Sequence, residues 1–154
     1  MPSLKNTKIA QLAIVVKDMD AALDKWCDLL GQDRPNIITT EPGLGRNQEV
    51  DGVPSDAQTQ LAFLDLGGVQ LELICPLGGE SSWQKVLDEK GEGVHHIAFW
   101  TENMKETQEA IAPYGPLWHV GDMGGGGQFA YFKTEPELGV TLEILEANKT
   151  SLKD

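Results

Sequence analysis

The chain has no apolar run near the roughly 20 residues needed to cross a bilayer, and its first residues, Met1 to Asn6, contain no apolar targeting core. No membrane association is therefore expected. Cysteine is scarce: Cys27 and Cys75 are the only two, far apart in the sequence. With no secretory signal, that usage predicts reduced thiols and a cytoplasmic location. Basic residues are scarce as well, with 12 Lys plus Arg against 24 Asp plus Glu and a net charge of -12. Such a balance excludes general nucleic-acid or anionic-membrane binding, which needs a cationic surface. A local basic pocket for a small anion is still compatible with it. The glycine run Gly124 to Gly127 has neither the strand-to-helix setting nor the Lys-Ser/Thr of a phosphate loop, so nucleotide binding is excluded too.

What is present suits one compact domain over residues 1–154, with 40% hydrophobic residues to fill its interior. The chain reads as two related halves. Gln11-Leu12-Ala13-Ile14-Val15-Val16-Lys17-Asp18-Met19 lies over His96-Ile97-Ala98-Phe99-Trp100-Thr101-Glu102-Asn103-Met104. Each run is a strand followed by an N-cap residue, Asp18 or Asn103, and then a helix. The first helix carries Met19, Leu23, Trp26 and Leu30 at helical spacing and stops at Gly31. The second runs to about Ala112, before Pro113. Leu66-Gly67-Gly68-Val69-Gln70-Leu71-Glu72-Leu73-Ile74 echoes Leu138-Gly139-Val140-Thr141-Leu142-Glu143-Ile144-Leu145. Gly-Gly suits the positive φ angles of a tight hairpin turn. The repeating unit is strand, helix, then three strands, over about 8–76 and 93–147. Ser81, with Gln84 three residues on, opens a linker helix over about 81–91. The fold class is α+β: two tandem βαβββ modules whose strands form a curved, barrel-like mixed sheet around a central cleft. Residues 41–59 are too rich in Gly, Pro and polar residues for regular structure. They form either a binding loop or a disordered one.

The internal match makes Gln11 and His96 equivalent on the first strands, and Glu72 and Glu143 equivalent on the last. A pseudo-twofold would bring the four together between the sheets. Mid-strand carboxylates are costly to bury unless paired, hydrogen-bonded or metal-bound. One nitrogen and at least three oxygens suit a divalent ion such as Zn, Ni, Co, Mn or Mg. Strand alternation puts His95 with Ile97 and Phe99, away from that site. Trp100 shares the face of His96 and either lines the pocket or packs in the core. The glycines, Gly125 and Gly126 among them, either border the pocket or form a plain turn. His119, beside Leu117 and Trp118, reads as structural.

These residues resemble the vicinal oxygen chelate superfamily of glyoxalases, bleomycin-resistance proteins and dioxygenases. His96-Ile97-Ala98 after a glycine carries the likeness, with Leu-Glu-Leu and Leu-Glu-Ile near the hairpin ends, over about Ile9 to Glu146. Within the superfamily, Glu72 to Gly78 and Gly93 to Ala98 are most similar to methylmalonyl-CoA epimerase-like proteins and to glyoxalase I-like proteins. The resemblance implies a divalent metal held by Gln11, Glu72, His96 and Glu143. It also implies a small-molecule substrate whose carbonyl is enolised by proton abstraction, with Glu143 or Glu72 as the base. An epimerase needs a second acid/base, supplied by the other member of that pair or, alternatively, by Glu41 or Glu49 of the long loop. A homodimer is expected. The reaction expected first is epimerisation or isomerisation of an enolisable carbonyl or acyl thioester. The alternatives are a glyoxalase I-type lactoylglutathione lyase and a metal-free binder of the bleomycin-resistance kind. Gln11 departs from the His usual in the epimerases and is known among glyoxalase I enzymes. An extradiol dioxygenase is disfavoured, because its iron site needs two His. Arg34 and Arg46 are the only arginines, and no basic cluster marks a CoA diphosphate or a glutathione.

Overall fold

Three helices begin at a side chain that caps them. In the computed structural model, which describes residues 2–148, Asp18 Oδ1 accepts from the Ala21 N–H at 3.0 Å and opens α1 (Met19–Leu30). Gly31, at φ 65°, closes it in the left-handed conformation that glycine takes without penalty. Ser81 accepts from the Gln84 N–H at the start of α2 (Ser82–Lys90), and Asn103 from the Glu106 N–H at the start of α3 (Met104–Ile111). Residue 1 and residues 149–154 of the expected domain lie outside the described residues.

The strands are β1 (Gln11–Val15), β2 (Ile38–Thr39), β3 (Glu49–Val50), β4 (Val53–Pro54), β5 (Thr59–Asp65), β6 (Gln70–Pro76), β7 (Gly93–Thr101), β8 (Leu117–Asp122), β9 (Gln128–Phe132) and β10 (Thr141–Glu146). They form one mixed sheet, curved into a half-barrel, in the order β2-β5-β6-β1-β7-β10-β9-β8-β3-β4. At its centre β1 and β7 run antiparallel. Outward from them β1 pairs with β6 and β7 with β10, both parallel. The sequence β6, β5, β2 on one side therefore matches β10, β9, β8 on the other, which is the geometry the internal repeat requires.

Alternation along the strands divides the apolar residues between two faces. On the outer face, α1 buries Leu23 against Leu71, Leu73 and Ala62. Met104 and Ile111 of α3 cover Ala130, Phe132, Leu142 and Ile144 in the same way. The inner face carries Ala13, Val15, Ile74, Ala98, Phe129, Tyr131 and Leu145, packed with Trp83 and Val86 of α2. Glu72 shares the inner face with Ile74, and Glu143 shares it with Leu145.

Three features depart from the sequence reading. The segment 41–59 is ordered. It contains a 3₁₀ turn (Gly43–Arg46) and the short strands β3 and β4, and β3 pairs with β8 of the opposite half. The segment thus leaves one edge of the sheet and joins the other. A further short helix, α4 (Glu135–Leu138), separates β9 from β10. Finally, β7 is bulged: Ala13 pairs with His96 and Ile14 with Val94, so His95 has no partner on β1. A bulge of this kind breaks the period of two. His95 therefore turns inward with His96 instead of outward with Ile97, and both histidines are buried.

Candidate metal centre

The cavity on the inner face measures about 450 Å³ and is lined from both halves. Gln11 enters from β1, Glu72 from β6, Glu143 from β10, and His96 of β7 lies behind them, fully buried. Ligand-capable atoms of Glu72, His96 and Glu143 lie within 4.8 Å of one another. His96 Nε2 is 3.1 Å from Glu143 Oε1 and 3.4 Å from Glu72 Oε1. These are ion-pair separations. Among the described residues, five buried side-chain polar atoms have no hydrogen-bond partner: Gln11 Oε1, Glu72 Oε1, His96 Nε2, Glu143 Oε1 and Trp118 Nε1. Four of the five belong to the four residues matched by the internal repeat. Buried polar atoms are almost always satisfied, so a convergent set of orphans marks a missing partner. One imidazole nitrogen, two carboxylate oxygens and an amide oxygen fit a borderline or hard divalent ion. The amide of Gln11 is held in orientation by Gln70, whose Oε1 accepts from Gln11 Nε2 at 2.6 Å.

Electrostatics follow the same arrangement. Burial opposes charge on His96, but Glu143 and Glu72 outweigh it and push its pKa up to about 9. Burial raises Glu72, with His96 opposing. Tyr131, whose hydroxyl accepts from Trp83 Nε1 at 3.0 Å, is pushed well above the usual phenol range by burial and by the adjacent Glu143 and Glu72. It therefore stays a protonated donor at the cavity wall.

Residues 10–132 match the family described as the Glyoxalase/Bleomycin resistance protein/Dioxygenase superfamily. The chain belongs to that superfamily. Its fold is similar to that of a hypothetical protein from Bacillus halodurans C-125, with a TM-score of 0.66 and 23% identity over 96% of this chain and 99% of that one. It is also similar to a Streptomyces coelicolor methylmalonyl-CoA epimerase variant in complex with 2-nitronate-propionyl-CoA (TM-score 0.66, 19% identity, 94% and 100% covered). The methylmalonyl-CoA epimerase of Mycobacterium tuberculosis gives a TM-score of 0.64 at 18% identity, with 99% and 95% covered. At these identities the likeness concerns the fold. A 57-residue stretch is 39% identical to the uncharacterized protein YqjC of Bacillus subtilis (strain 168), spanning 37% of this chain and 41% of that protein.

The remaining expected site residues divide. Glu41 lines the cavity, whereas Glu49 is exposed on β3 and does not. Trp100 does not line it either. It is 43% exposed at the end of β7, in a separate cleft beside the N-terminal segment and α3. The glycine run reaches the cavity through Gly124, not through Gly125 or Gly126. His119 is buried and hydrogen-bonded, as a structural residue would be. Sequence reasoning missed Tyr131 and Trp83, which also line the cavity. It also missed Arg46 as a cavity residue. Among the described residues Arg46 is the only Lys or Arg that lines the cavity. Its Nε donates to the Asp122 carbonyl at 3.0 Å, and its guanidinium carbon lies 5.8 Å from the centre of the Phe129 ring.

Proposed function

We propose that the protein is a divalent-metal-dependent epimerase or isomerase acting on an enolisable carbonyl or acyl thioester, with Gln11, Glu72, His96 and Glu143 as the metal ligands. The observation that carries this reading is a set of four unsatisfied buried ligand atoms: Gln11, Glu72 and Glu143 line one cavity, and His96 Nε2 lies 3.1 Å from Glu143 and 3.4 Å from Glu72. A bound divalent ion supplies Lewis-acid polarisation of the substrate carbonyl, which acidifies the neighbouring C–H. The chain's own residues do the rest. Glu143 or Glu72 takes the proton. Glu72, raised by burial, is the more suited of the two to returning one. Glu41, entering from the 41–59 segment, is the acid/base for the other face of the substrate. The phenol of Tyr131 donates toward the developing negative charge. Leu61, Phe63, Phe129 and Leu145 keep water from it. Arg46 is the cavity's cation and takes a carboxylate of the substrate, so an anionic acyl group suits the site better than a neutral one.

Metal analysis of the purified protein tests the ligand set, with Glu143→Ala and His96→Ala as controls. Stoichiometric metal in the parent and its loss in both variants is the expected result. Unchanged metal content in both variants sinks the site and leaves a binder of the bleomycin-resistance kind. The amide at Gln11 favours a second reading, glyoxalase I-type lyase chemistry on a thiol hemiacetal. Deuterium exchange into methylmalonyl-CoA, set beside turnover of methylglyoxal plus a thiol, separates the two enzymes.

A further inference from the structure

We propose that a buried hydrogen-bond relay, from Gln48 through His119, Ser82 and His95, fixes the hydrogen of His96 on Nδ1 and so leaves Nε2 as the metal-facing nitrogen. The proposal rests on the metal-site reading above. It makes His95, Ser82 and His119 positioning residues, since none of them touches the cavity ions or substrate directly.

The polarity of the relay is set at its far end. Gln48 Nε2 donates to the carbonyls of Ser55 and Ala57, at 3.1 and 3.0 Å. Its Oε1 is therefore an acceptor, and His119 Nε2 lies 3.0 Å from it. His119 must carry its hydrogen on Nε2. A second observation gives the same answer: the backbone N–H of Ser82, which can only donate, points at His119 Nδ1 at 3.3 Å. Nδ1 must therefore be the lone-pair nitrogen. The Ser82 hydroxyl is 2.8 Å from that nitrogen and donates to it. With its one hydrogen committed, Ser82 Oγ accepts from His95 Nε2, 3.1 Å away. His95 is then an Nε2–H imidazole with a free Nδ1. That atom is 2.8 Å from His96 Nδ1, which must donate to it. His96 thus turns Nε2 toward Glu72 and Glu143.

Every side chain in the relay is 2% exposed or less, so water has no opportunity to reset its direction. The donor-only N–H of Ser82 at His119 Nδ1 makes that ring neutral, and burial pushes His119 down to about 3 in agreement. The bulge in β7 is what permits the arrangement. Without it His95 points to the outer face, and His96 has no partner for Nδ1. A ligating histidine whose second nitrogen is held by a hydrogen bond is fixed in tautomer and ring orientation, and losing that partner typically lowers metal affinity roughly 10–100-fold.

The test is nuclear magnetic resonance of the full chain labelled with ¹⁵N-histidine. The chain has only three histidines, all of them in the relay, so the six ring nitrogens are resolved without crowding. In metal-free protein His95 and His119 are expected as Nε2–H tautomers. His96 Nδ1 is expected to bear hydrogen and to show a nitrogen–nitrogen coupling across its bond to His95. Addition of Zn²⁺ is then expected to move the His96 Nε2 resonance. An Nδ1–H tautomer at His95 or His119 overturns the relay whatever the metal does. Correct tautomers with no Zn²⁺-induced change at His96 overturn the metal reading and leave the relay's polarity standing. Ser82→Ala should let His95 sample both tautomers and weaken Zn²⁺ binding, measured by calorimetry, roughly 10–100-fold. Ser82→Thr, which keeps the hydroxyl, should restore both. A single unchanged tautomer and unchanged affinity in Ser82→Ala overturn the proposal.

Discussion

Raising the pH of metal-free protein from 6.5 to 9 should cost it about 3 kcal/mol of folding stability, and His96 is the reason. In the unfolded chain its pKa is near 6.5. In the folded chain burial works against protonation, but Glu143 and Glu72 prevail and hold the pKa at about 9. Between those values the native state binds a proton that the unfolded state has lost, so stability falls as pH rises. The contribution is fully present below pH 6.5 and gone above about 9. The gap of about 2.5 pH units, at about 1.4 kcal/mol each, gives the magnitude. His95 and His119 are both lowered, so their contributions change below pH 6.5 and leave this window flat. Cys75 and Tyr131 are raised from ordinary values of 9.0 and 10.0 and act above it. Glu72 is raised as well, so its own contribution also falls as pH rises above 4.5. Urea unfolding in chelator, followed through the four tryptophans, reads the profile at several pH values. The loss should largely disappear in His96→Gln. It should also disappear with saturating metal, which takes Nε2 in place of the proton. A flat profile from pH 6.5 to 9 in chelator refutes the claim that the two carboxylates are held against His96.

Three further outcomes follow from packing and charge. Leu23→Ala removes a fully buried side chain between α1 and β6, and urea unfolding should show a loss of about 2–5 kcal/mol. Gly79→Ala should cost about 1–3 kcal/mol in the same assay. Gly79 sits at φ 85°, and a Cβ there would lie 2.6 Å from the Ala57 Cα. Arg46→Gln should raise KM for a carboxylate-bearing substrate roughly 10–100-fold, the range expected for losing a charged hydrogen bond. It should leave a neutral analogue unaffected, and steady-state kinetics on the pair checks this.

The four proposed ligands were legible because two regularities agree on them. Period-two alternation gives each a face, and the internal repeat gives each a counterpart. Neither regularity depends on long-range knowledge. His95 was not legible in the same way, because one extra residue in β7 defeats alternation from that point, and nothing in Gly93-Val94-His95-His96 announces the bulge. The 41–59 segment was opaque for another reason. Its strands are two residues long, and β3 is defined by pairing with β8, about 70 residues later. Local composition carries no trace of such a partner. Trp100 was read from its face alone, as lining the pocket or packing in the core. Alternation fixes the side of a strand but not what the side chain meets there: Leu145, paired with Trp100, lines the cavity, whereas Trp100 lines the separate cleft. Tyr131 has the right face beside Phe129, but an aromatic in an apolar strand gives no sign that its hydroxyl borders two carboxylates.

The unsatisfied atoms and the raised His96 express one fact. Two carboxylates converge on a single imidazole nitrogen in a site shielded from solvent, and the pair has more negative charge than neighbouring protein dipoles neutralise. A cation would offset the difference. A proton on Nε2 is one such cation, which is why His96 titrates so far above its usual range. A proton has one bonding direction, however, and it leaves Glu72 Oε1, Glu143 Oε1 and Gln11 Oε1 without hydrogen bonds. A divalent ion held by the proposed ligands would address all four atoms and bring twice the charge. Proton and ion therefore compete for the same nitrogen, and metal affinity should rise up to tenfold per pH unit until His96 loses its proton near pH 9. The relay behind His96 bears on the outcome. It keeps Nδ1 occupied in both states, so exchanging the proton for the ion requires no rotation of a ring that has no room to turn.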